Sequence, residues 1–208
     1  MIEIIDNSVQ LAVLAVMTAL CAVYSYRAKQ QNAGILAMFY GSFVLGDLYW
    51  LLYLVFYGYT PRVFYISAVS WYAAYVFLDL VLLRMASEEE RGTRWPALWL
   101  VPVFPAAMCL YYLQYGDVFG NIVSATLMGL LMFHAVRGLV WARKHGGNRG
   151  RRMFCACVLV FCLLEYGEWT ASCFFDVDTL ASPYYWFDFA LTALTILFLP
   201  AYRKAVEA

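Results

Sequence analysis

The sequence predicts an all-α integral membrane protein, a single domain over residues 1–208 with seven transmembrane helices. Three observations carry that prediction. Hydrophobic residues make up 64% of the chain and charged residues only 13%, with a mean hydropathy of +0.68, whereas a soluble domain carries about 25% charged residues. The apolar residues fall into seven runs of the roughly 20 residues needed to cross about 30 Å of hydrocarbon. These runs are continuous rather than alternating, which excludes a membrane β-barrel and leaves helices, the other structure that satisfies its own backbone in lipid.

The first span is expected over residues 8–26, the second over 33–57 and the third over 63–85. The fourth, 97–115, follows Pro96 and contains Pro102 and Pro105. Each proline removes a backbone donor, so a kink is expected there. The fifth span is expected over 118–142, the sixth over 153–175 and the seventh over 183–202.

A net charge of zero hides a segregation. All but one of the 14 Lys and Arg residues fall on one side of the expected bundle, in clusters such as Arg27 and Lys29, Arg91 and Arg94, Arg143 and Lys144, and Arg203 and Lys204. Arg62 alone falls on the other side, with the acids Glu3, Asp6, Asp117, Asp176 and Asp178. The bias of basic residues toward the cytoplasm then expects the N-terminus outside and the C-terminus inside a cell (plasma) membrane. The basic loop 145–152 reads as a topology signal in contact with anionic lipid. It is no folded basic module, so nucleic acid is not an expected partner.

The first three spans and the last three share features. Each triplet opens with an apolar helix ending in an aromatic, basic turn, Tyr24 to Lys29 in one and Trp141 to Lys144 in the other. The middle span of each carries central acids followed by tryptophan, as Gly46-Asp47-Leu48-Tyr49-Trp50 and Glu165-Tyr166-Gly167-Glu168-Trp169. The third begins after Pro61 or Pro183 and carries an aromatic pair, Trp71-Tyr72 or Trp186-Phe187. This expects parallel repeats over 8–85 and 118–203, joined by a linker helix over 97–115. Such a 3+1+3 order resembles the SWEET and PQ-loop family, including its KDEL-receptor branch, at the level of architecture over the whole chain. The family's Pro-Gln dipeptide is absent and the first, second, fifth and sixth spans contain no proline. The resemblance therefore implies an architecture and no functional residue.

The chemistry-bearing residues are intramembrane acids. Asp47 is expected near the middle of the second span, Glu165 near the middle of the sixth, Glu168 one turn further out, and Asp188 in the outer third of the seventh. Ionisable groups at such depth cost at least a few kcal/mol and face a bundle interior or a wet cavity. Tyr40, Phe43, Asp47, Trp50, Leu54 and Tyr57 recur at spacings of three and four, and Tyr185, Asp188, Thr192, Thr195 and Tyr202 form a second stripe. Tyr65, Tyr72, Tyr75 and Asp79 form a comparable face on the third span. The candidate ligand-binding residues are therefore Asp47, Trp50, Trp71, Tyr72, Glu165, Glu168, Trp169, Trp186 and Asp188. The alternative is interhelical glue, with acids bonded to Tyr, Trp or Ser across helices. For Asp79 a simple pairing with Arg84 is expected, and for His134 a structural hydrogen bond.

No basic residue is expected near the membrane centre beside Asp47, Glu165 or Glu168. Carboxyl groups that take up and release protons within a membrane are a common coupling device, which assigns Glu165 and Asp47 as proton-coupling residues. An amine held by carboxylates and aromatic faces is a second possibility.

Several classes are excluded or disfavoured. Lys29, Lys144 and Lys204 all lie in turns or tails, so no intramembrane lysine remains for a retinal Schiff base. A single intramembrane histidine argues against bis-histidine haem and His-rich zinc sites. The six cysteines have no Cys-x-x-Cys spacing, so no metal or other cofactor is expected. The leading expectation is a small, proton-coupled membrane transporter with an acidic and aromatic midplane site for a small molecule. The alternative is a seven-helix ligand sensor that signals through a separate cytoplasmic partner. An intramembrane lipid-modifying enzyme using Glu165 and Glu168 is the third, with no nucleophile to accompany the pair and no catalytic residue assigned. A homo-oligomer is compatible with each.

Overall fold

The computed structural model describes residues 2–61, 65–145, 148–175 and 177–207, and Tyr65 by its backbone only. Arg62, Val63, Asp176, part of the basic loop and the Tyr65 side chain, all used in the sequence reading, lie outside the described residues.

The described residues are helical, with no strand among them. Seven helical segments are long and apolar enough to cross a membrane. The α-helices are α1 (Ile2–Ala28), α2 (Gln31–Tyr57), α3 (Tyr65–Met85), α4 (Glu88–Arg91), α5 (Val103–Tyr112), α6 (Val118–Lys144), α7 (Arg149–Ser172), α8 (Pro183–Thr195) and α9 (Phe198–Val206), of which the short α4 crosses nothing, α5 belongs to the fourth span, and α8 and α9 together form the seventh. Side chains cap several of the starts. Ser87 accepts from Glu90 N–H to begin α4, Asp117 from Gly120 N–H to begin α6, and Asn148 from Gly150 N–H to begin α7. Each satisfies a backbone donor that has no partner within its own helix.

Proline breaks two spans. The fourth begins as a 3-10 turn at Pro96–Leu100 and becomes α-helical only after Pro102, as its composition predicts. The seventh, expected over 183–202, divides into α8 and α9 at residues 196–197. Pro200 is the physical cause, since its ring crowds the carbonyl of Ile196 and it has no N–H to donate.

Six segments form a closed ring in chain order. The helices α1, α2, α3, α6, α7 and α8 pack consecutively, and α8 returns to α1. The fourth span lies outside the ring against α6, while α9 runs on from α8 along α7. The first and last triplets thus meet at two seams, α3 with α6 and α1 with α8.

The interior is divided along its length. Toward the end carrying the C-terminus, Phe39, Phe43, Phe161 and Phe198 pack edge to face, with ring centroids 5.3–6.1 Å apart. Tyr40 seals this cluster by donating to the Thr195 carbonyl at 2.5 Å. Beyond it, Arg151 of α7 is 5% exposed and forms a two-pronged ion pair with Glu90 of α4, which is 1% exposed. Arg151 also donates to the Leu82 carbonyl at 3.1 Å, tying α7 to α3.

Three expectations are corrected. Asp79 pairs across the α3–α6 seam with His134, at 2.6 Å, while Arg84 donates to Asn32 and Gln31 instead. The helix α1 begins at Ile2 rather than residue 8, which draws Glu3, Asp6 and Asn7 into it. The helix α7 begins at Arg149 and ends at Ser172, so its register shifts from the expected 153–175. Glu165 therefore lies about two turns, some 10 Å, from the end of its helix rather than near the middle.

Candidate functional site

The ring encloses a cavity of about 400 Å³ above the phenylalanine cluster, on the side of the N-terminus. Its walls come from α1, α2, α3, α7, α8 and the segment before α8. Glu3 and Asp178 lie toward the helix ends, while Leu14, Phe43, Phe161 and Thr195 form the floor. The site is built by stripes at helical spacing. On α1 the lining residues are Glu3, Asn7, Gln10 and Leu14, and on α7 they are Phe161, Glu165, Glu168, Trp169 and Ser172.

Asp47 is 3% exposed and accepts from the Trp71 indole N–H at 3.1 Å. Gly46 makes this contact possible. A Cβ there would lie 2.7 Å from Trp71 Nε1, so only glycine lets the indole of α3 rest on α2 beside the acid. The same device recurs in the second triplet, where a Cβ on Gly167 would lie 2.5 Å from the Phe187 ring. In each case a glycine immediately before an acid receives an aromatic ring from the next helix.

Glu165 is 5% exposed and accepts from the Tyr75 hydroxyl at 2.9 Å. Glu168, half-buried, pairs with the Tyr184 hydroxyl. Asp188 accepts from Gln10 Nε2 at 2.5 Å across the α1–α8 seam, and it also meets the carboxyl of buried Asp6. At the rim, Trp50 donates to Glu3 at 3.1 Å, Glu3 N–H donates to Asp178 at 2.8 Å, and Tyr185 donates to Asp178 at 3.1 Å. Interhelical hydrogen bonds therefore exist at Glu3, Asp47, Glu165, Glu168 and Asp188. They leave acceptor capacity over, since an ionised carboxylate has about four lone-pair sites. Asp47 Oδ2 and both carboxyl oxygens of Asp6 are buried without a geometric hydrogen-bond partner.

The electrostatic character of the cavity is one-sided. Carboxyl groups of Glu3, Asp47, Glu165, Glu168, Asp178 and Asp188 line it, and among the described residues no Lys, Arg or His does so. Aromatic side chains supply much of the remaining wall, including Trp50 and Trp71 with ring centroids 5.9 Å apart.

Of the candidate residues from sequence, Asp47, Trp50, Trp71, Glu165, Glu168, Trp169 and Asp188 converge here. Two do not. Tyr72 lines a second cavity of about 320 Å³ between α3, the fourth span, α6 and α7, separated from the first by Trp71, Tyr75 and Trp169. Trp186 is 60% exposed and donates to the Leu180 carbonyl, because its neighbour Phe187 takes the place against Gly167. Adjacent helical residues point about 100° apart, so only one of the pair faces inward. Sequence reasoning missed Glu3, Asn7 and Gln10, whose spacing of four and three carried the signal once α1 is extended to Ile2. Among the described residues no cluster of His, Cys, Asp and Glu is arranged to hold a metal ion.

Comparison of the chain with protein-family models, with curated proteins and with solved structures found no match to any of them.

Proposed function

We propose that the protein is a small membrane transporter whose substrate site is the 400 Å³ cavity, with Glu165 and Asp47 exchanging protons as the site is loaded and emptied. One observation carries this reading: acids from α1, α2, α7 and α8 converge on a single chamber that is sealed toward the C-terminal end by aromatic packing. Segregation of the basic residues supports a loading side outside the cell. Alternating access then requires the Phe39–Phe198 cluster and the Glu90–Arg151 pair to part while the outer rim closes. The paired glycine contacts at Gly46 and Gly167 support a rocking of two similar triplets about the two seams.

Flux in proteoliposomes tests the proposal. Uptake driven by a proton gradient, lost in Glu165→Gln with the fold retained, is the expected result. A protein that binds ligand, moves none and co-purifies with a cytoplasmic protein would be a sensor instead. The exposed basic end of the bundle, with Arg143, Lys144 and Arg203, is the surface that favours this second reading.

A further inference from the structure

We infer that the cavity recognises an organic cation, with an ammonium group held by Asp47 and flanked by Trp50 and Trp71. The inference rests on the proposed substrate site but not on transport itself. Three independent features of the chamber converge on it.

The first is the balance of donors and acceptors. Asp47, Glu165 and Glu3 each accept one side-chain donor among the described contacts, from Trp71, Tyr75 and Trp50 respectively, while Asp188 accepts from Gln10 and meets the Asp6 carboxyl. The chamber thus holds more acceptors than its own donors fill, and its missing complement is a donor-rich group. An anion would face a wall of carboxyls, with no basic side chain among its described lining residues.

The second is an unmatched buried oxygen. Asp47 Oδ2 lies in a residue 3% exposed and has no hydrogen-bond partner, although Asp47 lines the cavity. Leaving such an acceptor unsatisfied costs about 1–3 kcal/mol, more when it is charged. An ammonium donor drawn to Asp47 supplies the partner that this oxygen lacks.

The third is the wall chemistry. The two indoles of Trp50 and Trp71 lie within 5.9 Å of each other, tilted by 44°, and both line the chamber beside Asp47. Indole faces attract cations more strongly than other aromatic rings do, the more so where water is excluded. A neutral polyol gains the stacking but not this electrostatic term. The volume suits a small organic cation rather than a peptide.

The test compares matched probes on the purified full chain in detergent. Phenethylammonium and cyclohexylammonium are titrated against 2-phenylethanol and phenylacetate, reading tryptophan fluorescence and the melting temperature. Saturable binding of a cation, with roughly tenfold or greater preference over the neutral partner, is expected. Asp47→Asn should weaken that binding roughly tenfold or more, Trp50→Phe should weaken it less, and Glu88→Gln, exposed at the far end, should leave it unchanged. Melting of each variant without ligand identifies any that fails to fold, and the probe comparison on the unaltered chain stands without them. Equal or tighter binding of the neutral or anionic probe overturns the inference, as does the absence of binding by both cations. Cation binding upholds it whether or not flux follows, whereas proteoliposomes that bind a cation without moving it refute transport alone.

Discussion

The two halves of the bundle handle buried charge in opposite ways. Toward the C-terminal end, Glu90 meets Arg151 through two contacts and Asp79 meets His134, each acid beside a basic partner. Toward the N-terminal end, six acids share one cavity, with no basic side chain among the described residues of its walls. A buried ion pair is tolerated because each charge substitutes for the water the other has lost. Buried acids that meet only neutral donors, as Asp47 meets Trp71 and Glu165 meets Tyr75, leave that role to a proton, water or a ligand. The difference teaches that one half is built to stay closed around its own charges and the other to admit something from outside.

That comparison can be broken most severely at the sealed end. Glu90→Gln leaves Arg151 buried beside a neutral partner and should destabilise the protein by about 3–5 kcal/mol, measured by denaturation in detergent. If the loss is negligible, the ion pair does not seal this end.

At the open end the largest structural effect should come from Gly46→Ala. The new Cβ, 2.7 Å from Trp71 Nε1, displaces the indole from Asp47. Overpacking of this kind costs about 1–3 kcal/mol, and the tryptophan emission should shift. An unchanged spectrum and melt would mean that Trp71 has another equally good position.

Glu165→Gln should separate function from stability. The amide oxygen still accepts from Tyr75, so the stability change should stay within about 1.5 kcal/mol, the worth of a single hydrogen bond, while proton-driven flux is lost. A large loss of stability with flux retained would make Glu165 structural glue.

The smallest effect is expected at Trp186→Phe. This residue is exposed, donates to the Leu180 carbonyl and meets the Phe189 ring edge to face, a contact that phenylalanine can keep. Stability should change by less than about 0.5 kcal/mol, and probe binding should not change. A binding defect there would enlarge the site beyond the cavity walls.

The boundaries show how far local sequence reading reaches. The start of α7 was expected at residue 153 because Arg151 and Arg152 read as loop charges, yet Arg151 lies inside the helix. Glu90, about 60 positions earlier, neutralises it, and no local pattern encodes that encounter. The acids at the start of α1 were likewise assigned to the outer surface, although Glu3 lines the cavity and Asp6 is fully buried. Conversely, the break after Pro102 was legible, because a proline acts on the turn that contains it.

The amino-acid sequence by itself determined the helical membrane architecture, the seven apolar spans and the intramembrane acids. These follow from hydropathy and span length, which are properties of contiguous residues. Tertiary structure alone decided that Phe187 rather than Trp186 faces inward, that Asp79 meets His134 rather than Arg84, and that acids from four helices share one chamber. Each depends on the rotation and depth of one helix against another, which are fixed by contacts between residues far apart in the chain, such as Gly46 with Trp71 and Gln10 with Asp188.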